Sequence, residues 1–271
     1  MNLYKKLSLA SPFFLIAGPC VIEDRDTMFR VAERLVDMAW KSGIELVFKS
    51  SYKKANRSSG DSYVGPGLDA GLKMLAELKV SFGFPLLTDV HECAEVAAAA
   101  EVCDILQIPA FLSRQTDLIQ AAALSGRIVN IKKGQFMAPE DMHSAALKAS
   151  SAGNAEIMLT ERGSSFGYHN LVVDFRAFAI MREFGWPLVY DVTHSLQRPS
   201  LGTNSGGNPE YALMMARAAM ATGMVKGLFV ETHPDPAKAK SDASTMLPPS
   251  EVEKLISECI RIGKTVEELD I

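Results

Sequence analysis

Two sets of side chains in this 271-residue sequence are of types that do chemistry together. The first is basic: Lys49, Lys54, Arg57, Arg114, Lys132 and Arg162. They belong to a chain in which 28 Lys and Arg are outnumbered by 32 Asp and Glu. Cations that gather within an acidic protein suit small, multiply anionic molecules, phosphates above all. Arg offers paired donors to such groups and Lys a point charge. One group follows residue 50 and the other is spread over distant segments, so two phosphorylated substrates would use both. The second set is Cys20, His194, Glu231 and Asp242. A thiolate, an imidazole and two carboxylates can surround Zn2+, Fe2+ or Mn2+. Their spacing is no metal motif, so they meet only if the fold brings remote segments together.

The elements that would do so are visible as short apolar runs at 13–22, 45–51, 85–90, 105–110, 127–133, 156–162, 187–194 and 227–233. Most read as continuously apolar, which suits a parallel sheet buried on both faces. Helical patterns lie between and after them, at 27–40, 68–82, 92–102, 115–124, 139–150, 209–222 and 250–263. Several open on Pro or an acidic residue and close on Gly. Eight such units in a chain of this length predict a single-domain α/β fold over 1–271, a (β/α)8 TIM barrel, for which ~250 residues is typical. A doubly wound open sheet competes, but no Gly-rich fingerprint follows the first run.

A barrel of this kind works at the C-terminal ends of its strands. There the runs carry Cys20, then Lys49, then Asp89 and His91, then Gln107. The later ones carry Asn130, Lys132 and Lys133, then Glu161 and Arg162, then Asp191 and His194, then Glu231 and His233. A single polar residue at a strand terminus can simply be satisfied structure. Eight at one end point to a site, because polar groups in buried strands are costly unless paired or used. Runs one, seven and eight are neighbours in a closed barrel, which would bring Cys20, His194 and Glu231 together, with Asp242 in the loop beyond.

Composition removes other classes. The net charge of −4 argues against nucleic acid or an acidic membrane surface as partner. No stretch of roughly 18 apolar residues predicts a membrane span, and Met1 to Ala10 lacks the apolar core of a signal peptide. Four cysteines without a CxxC pair fit a reducing cytoplasm. Of these, Cys93, Cys103 and Cys259 read as small buried hydrophobes. His143 and His169 read as surface or loop residues, and His91 and His233 as structural histidines or neighbours of the site. The Gly-containing segment 198–208 reads as either a lid or an ordinary surface loop.

Longer motifs then become recognisable: FKSSYKKANRSS (48–59), GPGL (65–68), TDVHE (88–92), QIPAFLSRQTDL (107–118), VNIKKGQF (129–136), ERGSSFGYHNLVVDFR (161–176), YDVTHSLQRP (190–199) and GLFVETHPDPAKAKSDASTMLP (227–248). From about Phe13 to Leu269 the chain resembles the 3-deoxy-D-manno-octulosonate 8-phosphate synthases. The resemblance implies condensation of phosphoenolpyruvate with arabinose 5-phosphate for lipopolysaccharide biosynthesis. Related synthases use erythrose 4-phosphate or N-acetylmannosamine. The four-carbon branch typically has Lys-Pro-Arg-Thr where this chain has Lys54-Ala55-Asn56-Arg57, so Asn56 points to the longer sugar.

The same resemblance assigns Lys49, Gln107, Lys132 and Arg162 to phosphoenolpyruvate, and Lys54, Asn56 and Asp89 to the sugar. It gives Arg57 and Ser58 to the sugar phosphate, with Arg57 reaching a neighbouring subunit's site in a homotetramer. Pro109, Ala110 and Phe111 would line the cavity and Arg114 would add to the phosphate field. The family has a metal-dependent and a metal-free branch. The metal-free one carries Asn in place of Cys20 and Cys-Asp-Gly in place of Ser241-Asp242-Ala243. This chain resembles the metal-dependent branch, which implies a divalent ion on Cys20, His194, Glu231 and Asp242. His194 and Asp242 are also candidates to steer the water as general acid or base. A catalytically inert barrel serving as a scaffold is the alternative from another class, and it has no use for buried cations.

Overall fold

A computed structural model describes residues 1–56, 62–199 and 206–269. Eight parallel strands close into a barrel: β1 (Phe14–Gly18), β2 (Leu46–Lys49), β3 (Leu86–Asp89), β4 (Ile105–Ile108), β5 (Ile128–Lys132), β6 (Ile157–Glu161), β7 (Leu188–Asp191) and β8 (Gly227–Glu231). Each pairs with the next, and β8 closes on β1 with Gly18 opposite Glu231. The helices after them are α2 (Arg25–Ser42), α3 (Leu68–Phe82), α4 (Cys93–Val102), α5 (Thr116–Leu124), α6 (Asp141–Ser151), α7 (Arg176–Arg182), α8 (Ala212–Ala221) and α9 (Pro249–Glu268), preceded by a short α1 (Leu3–Ser8). The expected barrel is present.

The local chemistry explains the boundaries. Asp24 caps α2 by accepting the Thr27 N–H at 2.9 Å. Gly43 ends that helix in the left-handed conformation, at φ 66°. The expected helices are recovered within a few residues, except that α9 runs past Gly263 to Glu268. Two helices carried no strong signal in the sequence. α7 has only seven residues, too short for a clear period, and α1 precedes the barrel altogether. The run at 105–110 is shorter than expected as a strand, since Pro109 turns the chain into a 3-10 turn over Ala110–Leu112.

Alternation along each strand sorts the core into two parts. Outward residues such as Leu15, Phe48, Leu106, Ile131, Leu159 and Tyr190 pack with the helices. Inward residues Phe14, Ile16, Val47, Leu87, Ile105, Ile128, Met158, Val189 and Phe229 form a second cluster inside the barrel, closed from below by Leu7 of α1. Two residues further along the same inward faces come Lys49, Asp89, Gln107, Asn130, Asp191 and Glu231. The barrel interior is therefore oil at one end and charge at the other. Gly18 permits one close approach there, because a Cβ at this position would sit 2.0 Å from the Lys49 carbonyl oxygen.

Candidate active site

The charged end opens into a cavity of about 650 Å3. Its lining includes Lys49, Lys54, Asn56, Asp89, Gln107, Pro109, Ala110, Phe111, Lys132, Arg162, His194 and Asp242. Arg114 is exposed and stands outside the lining, where its carbonyl accepts from Lys148 at 2.8 Å. Arg57 and Ser58 lie outside the described residues.

The cations do not stand bare. Lys49 is 1% exposed and donates to Glu231 Oε1 at 2.6 Å and to the Cys20 carbonyl at 3.1 Å. Lys132 pairs with Asp191 and lies 3.4 Å from His194 Nδ1. Both ammonium groups stand over the Phe229 ring, at 5.4 and 4.4 Å from its centroid. Lys54 sits 3.9 Å from Glu231 and 4.0 Å from Asp89. Arg162 donates through Nη2 to Gln197 at 2.8 Å. Its Nε and Nη1 are buried and have no hydrogen-bond partner among the described residues. Buried guanidinium donors of this kind can satisfy an anion.

Electrostatics follows from this interleaving. Burial alone would raise Asp89, but Lys49 and Lys54 outweigh it and hold the carboxyl well below its ordinary range. The same contest lowers Glu231, where His194, Lys49 and Lys54 oppose burial, and Asp191, where His194 and Lys132 do so. Burial would lower Lys54, yet Cys20, Glu231, Asp89 and Asp242 raise it above its normal value. Lys132 ends below its usual value, because burial outweighs Asp191. The polar chain continues across the barrel: Gln107 donates to Asp89 at 2.7 Å, Asn130 to Gln107 at 2.8 Å and Thr160 to Asn130 at 2.8 Å.

Cys20, Glu231 and Asp242 form a group able to hold a metal ion, with one ligand atom from each within 4.8 Å of the others. His194 borders that group, with Nε2 at 3.5 Å from Glu231 Oε2 and 3.7 Å from Asp242 Oδ2. Asp191 holds Nδ1 at 2.8 Å, which turns the Nε2 lone pair toward the carboxylates. The two oxygens of Glu231 divide the work. Oε1 takes Lys49, while Oε2 is buried and accepts no hydrogen bond among the described residues. Burial, with Asp242 and Glu231 nearby, pushes the Cys20 thiol well above its ordinary pKa. Asp242 holds its carboxylate 3.0 Å from Cys20 Sγ from a left-handed backbone, φ 48°, which is uncommon outside glycine. An orphaned carboxylate oxygen among acidic donors is what a divalent cation would satisfy. The residues fit the ion.

Asp191 is read from the sequence as a strand-end residue without an assigned role, and the structure sets it between Lys132 and His194. Gln197 and Tyr63 come from loops whose convergence no local pattern announces. Lys133 turns away from Lys132 and is buried with it, reaching Ser164 Oγ at 2.8 Å, two carbonyls at 3.3 Å and Glu161 at 3.6 Å. It thereby braces the turn that carries Arg162. Lys133→Met is expected to cost about 3 kcal/mol of unfolding free energy, as a buried pair losing one partner does. Urea denaturation reads this, and an unchanged midpoint would remove the brace. Cys93, expected to be buried, is exposed at the start of α4, while Cys103 and Cys259 are buried as expected.

Comparison with known proteins places the chain. The model of the DAHP synthetase I family matches residues 10–268. A protein of Acidithiobacillus ferrooxidans named 2-dehydro-3-deoxyphosphooctonate aldolase is 52% identical over 263 residues, covering 97% of this chain and 93% of the relative. Proteins of the same name from Aromatoleum aromaticum and Syntrophotalea carbinolica are 54% and 51% identical over 265 and 257 residues. These alignments cover 97% and 94% of this chain and 92% of each relative. With the barrel, the cavity and these matches in agreement, the chain belongs to the DAHP synthetase I family.

Proposed function

We propose that the cavity condenses phosphoenolpyruvate with D-arabinose 5-phosphate and water, giving 3-deoxy-D-manno-octulosonate 8-phosphate and inorganic phosphate. The relatives' name, 2-dehydro-3-deoxyphosphooctonate aldolase, denotes the enzyme of this reaction. The observation that carries the reading is the pair of Arg162 donors that have no hydrogen-bond partner among the described residues, close to Lys132, whose ammonium stands over Phe229. Lys49, Lys132 and Arg162 neutralise the carboxylate and phosphate of the enol, with Gln107 held in register by Asp89 and Asn130. Lys54, Asn56 and Asp89 take the sugar. Arg57 and Ser58 take its phosphate.

The methylene carbon of the enol attacks the aldehyde carbon, whose oxygen takes a proton and becomes a hydroxyl. Water adds to the cationic carbon left behind and gives up a proton, and the tetrahedral intermediate expels phosphate by C–O cleavage, leaving the keto group. Positioning supplies several kcal/mol of barrier lowering, and preorganised charge a comparable share. Cys20, His194, Glu231 and Asp242 would hold a divalent ion, as in the metal-dependent branch, and the ion would supply Lewis acidity toward oxygen. Cysteine usage supports a cytoplasmic setting, and the family resemblance supports a homotetramer, with Arg57 reaching a neighbouring site. No helix among the described residues is long and apolar enough to cross a membrane.

Phosphate release should require arabinose 5-phosphate, cease with EDTA and return with added Zn2+ or Mn2+. Turnover with erythrose 4-phosphate or N-acetylmannosamine alone would overturn the sugar assignment. Undiminished turnover after thorough chelation would overturn the metal.

A further inference from the structure

The geometry points to Glu23 as the residue that sets the separation of Cys20 from Asp242, a positioning role that rests on the metal reading above. Cys20 and Asp242 come from opposite ends of the sequence, one just after β1 and the other in the long segment after β8. Glu23 joins the two segments directly. Its Oε1 accepts the Lys240 backbone N–H at 2.9 Å, two residues before Asp242. Its side chain is 5% exposed and its Oε2 lies 3.7 Å from His233 Nε2. On its other side, His233 Nδ1 lies 3.0 Å from the Asp235 backbone nitrogen and 2.7 Å from the Asp235 carbonyl oxygen, which holds the ring in place beside Glu23.

The two sides of this link differ in firmness. Glu23 is fixed, since Ile22 N donates to Ser51 at 3.0 Å just before it and Asp24 caps α2 just after it. The segment after β8 is pinned at its base, where Thr232 bridges to Leu247. Between those points it must hold Asp242 in a left-handed conformation, which persists only when the surroundings over-determine it. Within that span, Lys240 is tied twice, through its N–H to Glu23 and through its ammonium 4.8 Å over the Tyr63 ring. The ammonium is exposed and weakly held, whereas the carboxylate is buried and accepts a charge-assisted bond. Glu23 is the stronger tie.

The test measures metal affinity, with turnover as a secondary readout. Wild type, Glu23→Ala and Glu23→Gln are titrated with Co2+ and Zn2+ against a chromogenic chelator, and the thermal midpoint of each metal-free protein is recorded. Glu23→Ala should weaken binding about 10- to 100-fold, as loss of an outer partner does, with the metal-free midpoint within a few degrees of wild type. Glu23→Gln keeps an oxygen for the Lys240 N–H and should stay within about threefold of wild type on the same scale. Wild-type affinity in Glu23→Ala overturns this inference alone, as does equal weakening in both variants. A wild-type chain that takes up no metal overturns the metal reading and this inference with it.

Discussion

Lys132→Met is expected to lower kcat/KM for phosphoenolpyruvate by about 10^3 or more, equivalent to about 4 kcal/mol of lost transition-state stabilisation. The Lys132 side chain lines the cavity and is buried. Its ammonium pairs with Asp191, stands 4.4 Å from the Phe229 centroid and lies 3.4 Å from His194 Nδ1. Methionine fills nearly the same volume, so packing over Phe229 survives and the charge alone is removed. Two losses then add. The anion field keeps Arg162 but loses its nearest cationic neighbour on β5. Asp191 loses Lys132, one of the two groups that hold its carboxyl low, and keeps its contact to His194 Nδ1. Steady-state kinetics with metal analysis separates the two losses: the first raises KM at full metal content, and the second lowers metal content. A change in kcat/KM below tenfold would mean that Lys132 serves the barrel rather than the substrate.

Cys20→Ser should lower metal affinity at least about 100-fold, since a thiolate is a far better ligand for a first-row cation than a hydroxyl. The substitution is sterically mild. Cys20 Sγ lies 3.1 Å from Ser241 Oγ and 3.0 Å from Asp242 Oδ2, distances that a serine hydroxyl can still bridge. Folding stability should therefore change little, and the effect should be confined to the ion. With Co2+ the wild type should give an intense thiolate-to-metal absorption band that the variant lacks. A variant that retains stoichiometric Zn2+ and full turnover would remove Cys20 from the ligand set.

The sequence was most informative where strands are concerned. A run such as 127–133 carries both its outward Val129 and Ile131 and its inward Asn130 and Lys132, so one alternation encodes core and site together. Runs of this kind made the barrel legible, and with it the convergence of Lys49, Lys132, Glu231 and Cys20. What escaped depends on contacts between segments far apart. Nothing local reveals that Glu23 meets Lys240, 217 positions away, or that Gln197 receives Arg162. Arg114 stands in a recognisable motif, and the turn at Ala110–Leu112 leaves it exposed, outside the cavity lining.

The string from Asp89 to Thr160 has a sense of direction. Each amide gives its N–H toward β3 and offers its oxygen toward β6, because the carboxylate at the head accepts and cannot donate. Asn130 has no choice of orientation once Gln107 has none. A neutral amide at position 89 would free the head of this string, and every member down to Thr160 could turn round together. The ionised state of one carboxylate on β3 is thus written into the hydroxyl rotor of a threonine three strands away.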